Sequence, residues 1–484
     1  MSSMQRPSHA LTEGAIGKTL MMFSLPILAG NVLQSLNGSV NAIWVGHGLG
    51  EAALAATSNA NTILFFLIGT MFGVGMAANI LVGQSVGAKN LEQAKRTVGT
   101  SLSFFLALSL LFAALGFALS ERLMGWMHMP ADALPLATAY LRIIFLGIPF
   151  MYLLAFISMT LRGAGDARTP FLFLLLNVLL DIALNPLFIF GLGPVPRMGI
   201  AGSAFATLVA SVVTLAALIA HLYRTRHFLA LHRGEAHYLR IDRAILRALF
   251  VKGIPMGLQM IVMSLSMIAL ISLVNRFGSQ TTSAYGACFQ LWNYIQMPGM
   301  AVGMAVSSMA AQNVGAGKWE RVQRVALTGV GYNFLQTGVL VALAYLFSRA
   351  ALSLFLPADS AALDIAQHIN AIAVWSFLFF GVTFVLAGVV RSTGAVLPPL
   401  LILFVALWLV RIPFAYALVE RWQADAIWWS FPLGSLVSML LSVAYYRYGG
   451  WRRARMLGAA APPAGAVSGA LAVRPDGKPE FRSS

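Results

Sequence analysis

The chain has 484 residues, of which 59% are hydrophobic and only 10% charged, and its mean hydropathy is +0.79. So little polar material cannot coat that much apolar surface in water, which excludes a soluble fold and makes a bilayer the main solvent. The formal net charge of +16 would suit nucleic acid, but its distribution along the chain assigns it elsewhere.

Residues 1–19 begin "MSSMQRPSHALTEGAIGK", polar and without a short apolar core before a small-residue cleavage site, so no cleavable signal peptide is expected. Twelve apolar runs follow, at 20–46, 52–82, 97–119, 138–161, 170–191, 200–222, 249–275, 283–311, 325–347, 366–390, 397–419 and 427–447. They are continuously apolar rather than alternating, and in lipid every backbone polar group must be satisfied within its own segment. Helices are therefore expected, not a barrel. The expected class is an all-α integral membrane protein with about twelve transmembrane helices in two six-helix lobes. The N-lobe covers 20–223, a basic cytoplasmic linker 224–248 and the C-lobe 249–447. The stretch 448–484 turns small-residue and Pro/Gly-rich and is expected to be a disordered cytoplasmic tail.

With both termini in the cytoplasm, 25 of the 32 Lys and Arg residues fall in inner segments. Six lie outside (Arg122, Arg142, Arg197, Arg276, Arg349 and Arg421), and Arg411 lies within span 11. This is the positive-inside pattern. The basic charge belongs to the inner face of a bacterial-type plasma membrane, and no nucleic-acid partner is expected. His221, His227, His232 and His237 share the basic linker and read as solvated. Cys288 is the sole cysteine, so neither an intrachain disulfide nor a cysteine metal cluster is expected.

The halves repeat. "GQSVGAKNLEQAKR" at 83–96 matches "AQNVGAGKWERVQR" at 311–324, pairing Gln84 with Gln312 and Gly87 with Gly315 at an offset of 228. "GMA" at 75–77 recurs at 303–305, and "RGAGDARTP" at 162–170 matches "RSTGAVLPP" at 391–399 with an offset of 229. Pro26 and Pro255 share that 229. An even number of spans between copies makes the repeat parallel, related by an axis along the membrane normal, an arrangement that commonly encloses a central cavity.

These stretches, with "VNAIWVGHGLGEAALAA" in span 1 and "LNPLFIFGLG" in span 5, resemble the multidrug and toxic compound extrusion (MATE) transporters over roughly residues 15–447. The resemblance implies a V-shaped, two-lobed exporter of cationic or amphiphilic organic compounds, driven by inward flow of protons or sodium ions. It also implies an acid at the span-1 position that Asn41 fills. C-lobe acids of one subgroup correspond to Met263 and Phe380, so an ion site is expected in the N-lobe. The G-x-x-x-D-x-x-G-R-[RK] loop of the major facilitators is absent after span 2.

Of sixteen acids, fifteen fall in tails or loops; Asp181 alone is deep. Eleven residues past Pro170, it lies about 16 Å along a helix, near the middle of the hydrocarbon core. A carboxylate there costs about 2.5–3.5 kcal/mol and is a functional candidate by default. Asn177, Asp181 and Asn185 share a helix face. Span 1 offers a matching stripe of Gln34, Asn37 and Asn41, with Gly30 and Gly38 for close approach. The cluster either couples ion flow, by exchanging a proton or coordinating sodium, or only knits helices 1 and 5 together.

Arg411 reads either as snorkelling or structurally bonded, or as a gating and substrate-excluding charge. Spans 7 and 8 carry Met260, Met263, Gln290, Trp292, Asn293, Tyr294 and Gln296 among further methionines. They form a candidate substrate-cavity surface, since methionine adapts to varied ligands and aromatic faces attract organic cations; lipid contact or packing is the other reading. No catalytic residue, cofactor or metal site beyond sodium at Asp181 is expected, and the protein is expected to act as a monomer. Rival readings are a lipid or lipid-linked sugar flippase, which needs a strongly cationic cavity, and a membrane enzyme, which needs several catalytic groups at one depth.

Overall fold

The computed structural model describes residues 11–127, 133–191, 196–357 and 360–457. The N-terminal half forms α1 (Ile16–Leu49), α2 (Glu51–Gly87), α3 (Leu91–Trp126), α4 (Leu134–Ala164), α5 (Arg168–Phe190) and α6 (Ile200–Arg224). The second half repeats the order with α7 (Arg243–Val274), α8 (Ser279–Gly315), α9 (Trp319–Leu346), the short α10 (Ser348–Leu352), α11 (Ala361–Ala373) and α12 (Ser376–Ser392). It closes with α13 (Leu397–Phe404), a π-helical stretch Val405–Arg411, α14 (Ile412–Trp422) and α15 (Asp425–Tyr448).

Among the described residues, ten helices are long and apolar enough to cross a membrane, and α11 with α12, bent by 47° at their junction, make an eleventh span. The twelfth is α8, whose 37 residues include Gln290, Asn293, Gln296, Ser307, Ser308 and Gln312 and so fall short on composition alone. It tolerates this polarity because much of it is buried inside protein rather than lipid. α1 starts at Ile16, four residues before the expected boundary.

The repeat is visible in the caps. Gly165 (φ 99°) ends α4 and Gly394 (φ 103°) follows α12, each donating its N–H to the carbonyl of the repeated arginine, Arg162 or Arg391. A left-handed residue closes a helix at least cost when it is glycine.

The lobes exchange helix halves. Leu20, Phe23 and Ile27 of α1 are buried among Ala301, Val306, Val325 and Val389 of the C-lobe. Ile245, Leu249 and Met256 of α7 are buried among N-lobe residues such as Ala77 and Leu81. α1 and α7 thus each begin in the opposite lobe and end in their own.

Where α2 and α8 finish, the seam is tight. A Cβ on Gly87 would lie 1.8 Å from the Gln312 carbonyl oxygen, and one on Gly315 would lie 1.9 Å from that of Gln84. Gln84 donates from Nε2 to the Ser392 carbonyl (2.6 Å), and Gln312 donates from Nε2 to the Gly163 carbonyl (2.8 Å). Each lobe therefore caps the other with the same repeated glutamine. Residues 11–13 strap across this end. The Leu11 N–H donates to Gln312 Oε1, Lys318 Nζ to the Thr12 carbonyl and Arg321 Nη2 to the Glu13 carbonyl.

Two expectations are corrected. The linker is not a solvated loop throughout: Lys95 pairs with Glu235, Arg96 with Asp242 (3.2 Å), and the 3₁₀ turn Arg233–Leu239 lies along α3. Leu229 and Ala230 are buried and His227 is half-buried against Phe228, while His221, His232 and His237 are exposed. Nor is the tail free from residue 448 onward. Trp451 is 1% exposed, and its carbonyl accepts from Thr393 Oγ1, because an indole of that size found an apolar seat beside α12. Residues 458–484, where the rest of the expected tail falls, lie outside the described residues.

Candidate functional site

Asp181 sits midway along α5 and is 1% exposed. Four donors from three helices surround it. Oδ2 accepts from Nδ2 of Asn37 (2.9 Å) and of Asn41 (2.8 Å) on α1. Oδ1 accepts from Thr207 Oγ1 (2.9 Å) on α6 and from Asn185 Nδ2 (3.3 Å) one turn along α5. Asn185 Nδ2 also reaches Asn41 Oδ1 (3.0 Å), so the amides brace one another. Tyr140 on α4, itself buried, lies within electrostatic reach of the carboxylate.

Hydrogen bonds to a charged acceptor contribute about 1.5–3 kcal/mol each. Four of them offset the insertion cost of about 2.5–3.5 kcal/mol of placing a carboxyl side chain at that depth. No ion pair reaches it among the described residues. Around it, the Oδ1 atoms of Asn37, Asn177 and Asn185 are buried and accept no hydrogen bond. Amide rotation exchanges a donor for an acceptor at the same place. The cluster can therefore turn oxygen towards a proton on Asp181 or towards a hard cation, which takes carboxylate and amide oxygens as ligands.

Of the predicted N-lobe residues, Asp181, Asn185, Asn37 and Asn41 converge. Asn177 contributes only its unpaired oxygen, and Gln34 does not join: it is exposed and forms no bond to Asp181. Gly30 does permit close approach, its missing Cβ lying 3.1 Å from Leu174, whereas Gly38 faces open space. Thr207 and Tyr140 were not foreseen, because a threonine in "AFATLVAS" and a tyrosine in "ATAYLRII" carry no signal until the helices pack.

The C-lobe set does not form one surface. Trp292 is 1% exposed and donates from Nε1 to Asn370 Oδ1 (3.1 Å), packed among Tyr285, Phe377 and Phe431. It belongs to the lobe core, since burial there satisfies both its ring and its N–H. Gln290 is exposed; Tyr294, Met260 and Met263 are half-buried, and Gln296 donates to Asn293 Oδ1 (3.0 Å). Met260 lies at the seam, near Gly69 of α2. Arg411 is half-buried over Phe431 rather than extended along the helix to the surface.

The MatE family model matches the chain twice, at residues 26–187 and 255–417. The chain belongs to the MATE family of multidrug efflux transporters. This MATE protein is 36% identical over 452 residues to the probable multidrug resistance protein YoeA of Bacillus subtilis (strain 168), covering 93% of this chain and 97% of that one. It is 34% identical to YpnP of the same organism, also named a probable multidrug resistance protein, over 93% and 99% of the two chains. A solved outward-facing structure of a multidrug resistance MATE transporter superposes with a TM-score of 0.84 at 22% identity, over 92% of this chain and 98% of that one. The two-lobed arrangement of twelve helices and the multi-pass membrane location are thereby those of the family.

Proposed function

We propose that this MATE protein is a secondary active antiporter that exports cationic or amphiphilic organic compounds in exchange for protons or sodium ions. The observation that carries this reading is the donor-caged Asp181 with its three unpaired amide oxygens. Ion binding there removes the charge that Asn37 and Asn41 hold in place. Both amides are on α1, whose first half is embedded in the C-lobe, so a change at Asp181 bears on the packing of the lobes. Ion and substrate then favour opposite lobe arrangements, which is the thermodynamic requirement for exchange. The mechanism is binding and rearrangement, with no covalent step. The basic end of the bundle faces the cytoplasm of a bacterial-type inner membrane, both termini with it, and a monomer suffices. A flippase reading is less favoured, since Arg411 is the one cation among the candidate cavity residues.

The test is cationic dye transport in proteoliposomes under an imposed pH gradient or an imposed sodium gradient. Asp181→Asn is expected to abolish gradient-driven transport, and the gradient that drives the wild type identifies the ion. Undiminished transport by Asp181→Asn under both gradients would overturn the coupling assignment.

A further inference from the structure

Arg411 ends the π-helical stretch Val405–Arg411, the only one among the described residues. Such turns recur at functional sites. Pro170 and Pro399, near the starts of α5 and α13, keep the repeat offset of 229, so Arg411 lies in the C-lobe span that repeats the one carrying Asp181. The two lobes carry opposite charges in equivalent spans.

The surroundings of Arg411 are built to hold a guanidinium and leave it incomplete. Its Cζ stands 3.6 Å from the centroid of the Phe431 ring, and Gly434 leaves room for its stem, with a missing Cβ 3.2 Å from the Arg411 Cβ. Nε and Nη2 are shielded from solvent and have no acceptor among the described residues, although the side chain as a whole is only half-buried. These two nitrogens form one edge of the guanidinium, the parallel N–H pair that grips two oxygens of a carboxylate or phosphate. Among the described C-lobe acids, Glu320, Asp364, Glu420 and Asp425 lie near helix ends, and none pairs with Arg411. Arg391, buried at the end of α12, donates from Nη1 to Gln259 Oε1 (2.9 Å) and leaves only Nε without an acceptor. Stacking on an aromatic face offsets only part of the cost of an unpaired buried cation.

We infer that Arg411 is the recognition point for an oxyanion, a carboxylate or phosphate, carried by an amphiphile that enters the C-lobe. The molecule then has a cation site in one lobe and an anion site in the repeated span of the other. Only the occupant's being transported cargo rests on the efflux reading above; the anion site stands on its own geometry.

The test is equilibrium binding of dansyl-undecanoic acid to the full chain in phosphatidylcholine nanodiscs, read against empty discs and against the uncharged amide of the same probe. The wild type is expected to bind the acid saturably and to prefer it to the amide. Arg411→Gln is expected to weaken the acid about tenfold or more and to leave the amide unchanged, with Arg411→Lys intermediate because it keeps charge without the fork. Asp181→Asn is expected to bind the acid as the wild type does, so loss of ion coupling and loss of the anion site are read separately. Discs containing phosphatidylglycerol separate the sources: displacement of the probe supports the site with a lipid phosphate as occupant, and no displacement supports it with cargo. Equal acid affinity in wild type and Arg411→Gln, or no preference of the wild type for acid over amide, would overturn the inference. The second comparison decides the matter even if Arg411→Gln does not fold.

Discussion

Gln84 and Gln312 stand 228 residues apart in sequence and make equivalent bonds across one seam, Gln84 to the Ser392 carbonyl and Gln312 to the Gly163 carbonyl. Each satisfies a carbonyl near the end of the other lobe's helix, one of the groups a helix leaves unpaired. The pair closes the end of the bundle at which the lobes meet. Removing either amide is expected to cost about 1–2 kcal/mol. In Gln84→Ala and Gln312→Ala, hydrogen exchange over 80–90 and 308–318 should accelerate on both sides of the seam, whichever glutamine is removed. Acceleration confined to the mutated helix would refute the reciprocal bracing.

Gly87 and Gly315 are the steric half of the same closure. A Cβ on Gly315 would fall 1.9 Å from a backbone oxygen, and a carbonyl cannot step aside as a side-chain tip can. Gly315→Ala is expected to force α2 and α8 apart and lower the melting temperature, with Gly87→Ala doing the same. Alanine at Gly286, which has nothing within 4 Å, serves as the control and should melt with the wild type. Equal melting of all three would show that the seam yields freely.

Thr207 is one of four donors to Asp181. Thr207→Val keeps the shape and removes the hydroxyl, which should cost about 1.5–3 kcal/mol while the carboxylate is ionised. In an Asp181→Asn background the same change should cost less than half as much, because a neutral amide gains less from the donor. A double-mutant cycle by thermal unfolding measures this coupling. Strict additivity would place Thr207 outside the cluster.

The linker carries a pH-sensitive contact. Burial alone would raise the Glu235 carboxyl, but hydrogen bonds from Lys95 and the His232 N–H, with the Lys95 charge, outweigh it and hold the group below the ordinary range. A depressed carboxyl stabilises the fold above its unfolded value, and that contribution is lost as pH falls through the folded value. At a largely solvated site it is about 0.5 kcal/mol or less. Exchange protection over 233–242 should therefore fall on acidification from pH 7 to pH 4 in the wild type. In Lys95→Met, protection should already be low at pH 7 and change little on acidification. An identical pH response in both proteins would remove this pair as the cause.

Much was legible in one dimension. Continuous apolar runs can only be helices in lipid, and the duplicated "QSVGA" and "QNVGA" segments exposed two lobes of equal topology. Asp181 stood out because a deep acid is costly wherever it lies. α8 was legible as the apolar run 283–311 despite its polar residues.

Partners were not legible. Nothing in the sequence says that Thr207 bonds Asp181 while Gln34 does not, since a helix period assigns faces but not neighbours. Trp292 read either as a cavity aromatic or as packing, and its burial in the core depends on Asn370 lying opposite its N–H. That the Arg411 guanidinium lies over Phe431 with two nitrogens left without an acceptor was decided only by the packing of the C-lobe helices. Local sequence sets which segments leave water and which positions carry charge; how the helices cross and in what register decides which of those charges meet a partner and which are left waiting for one.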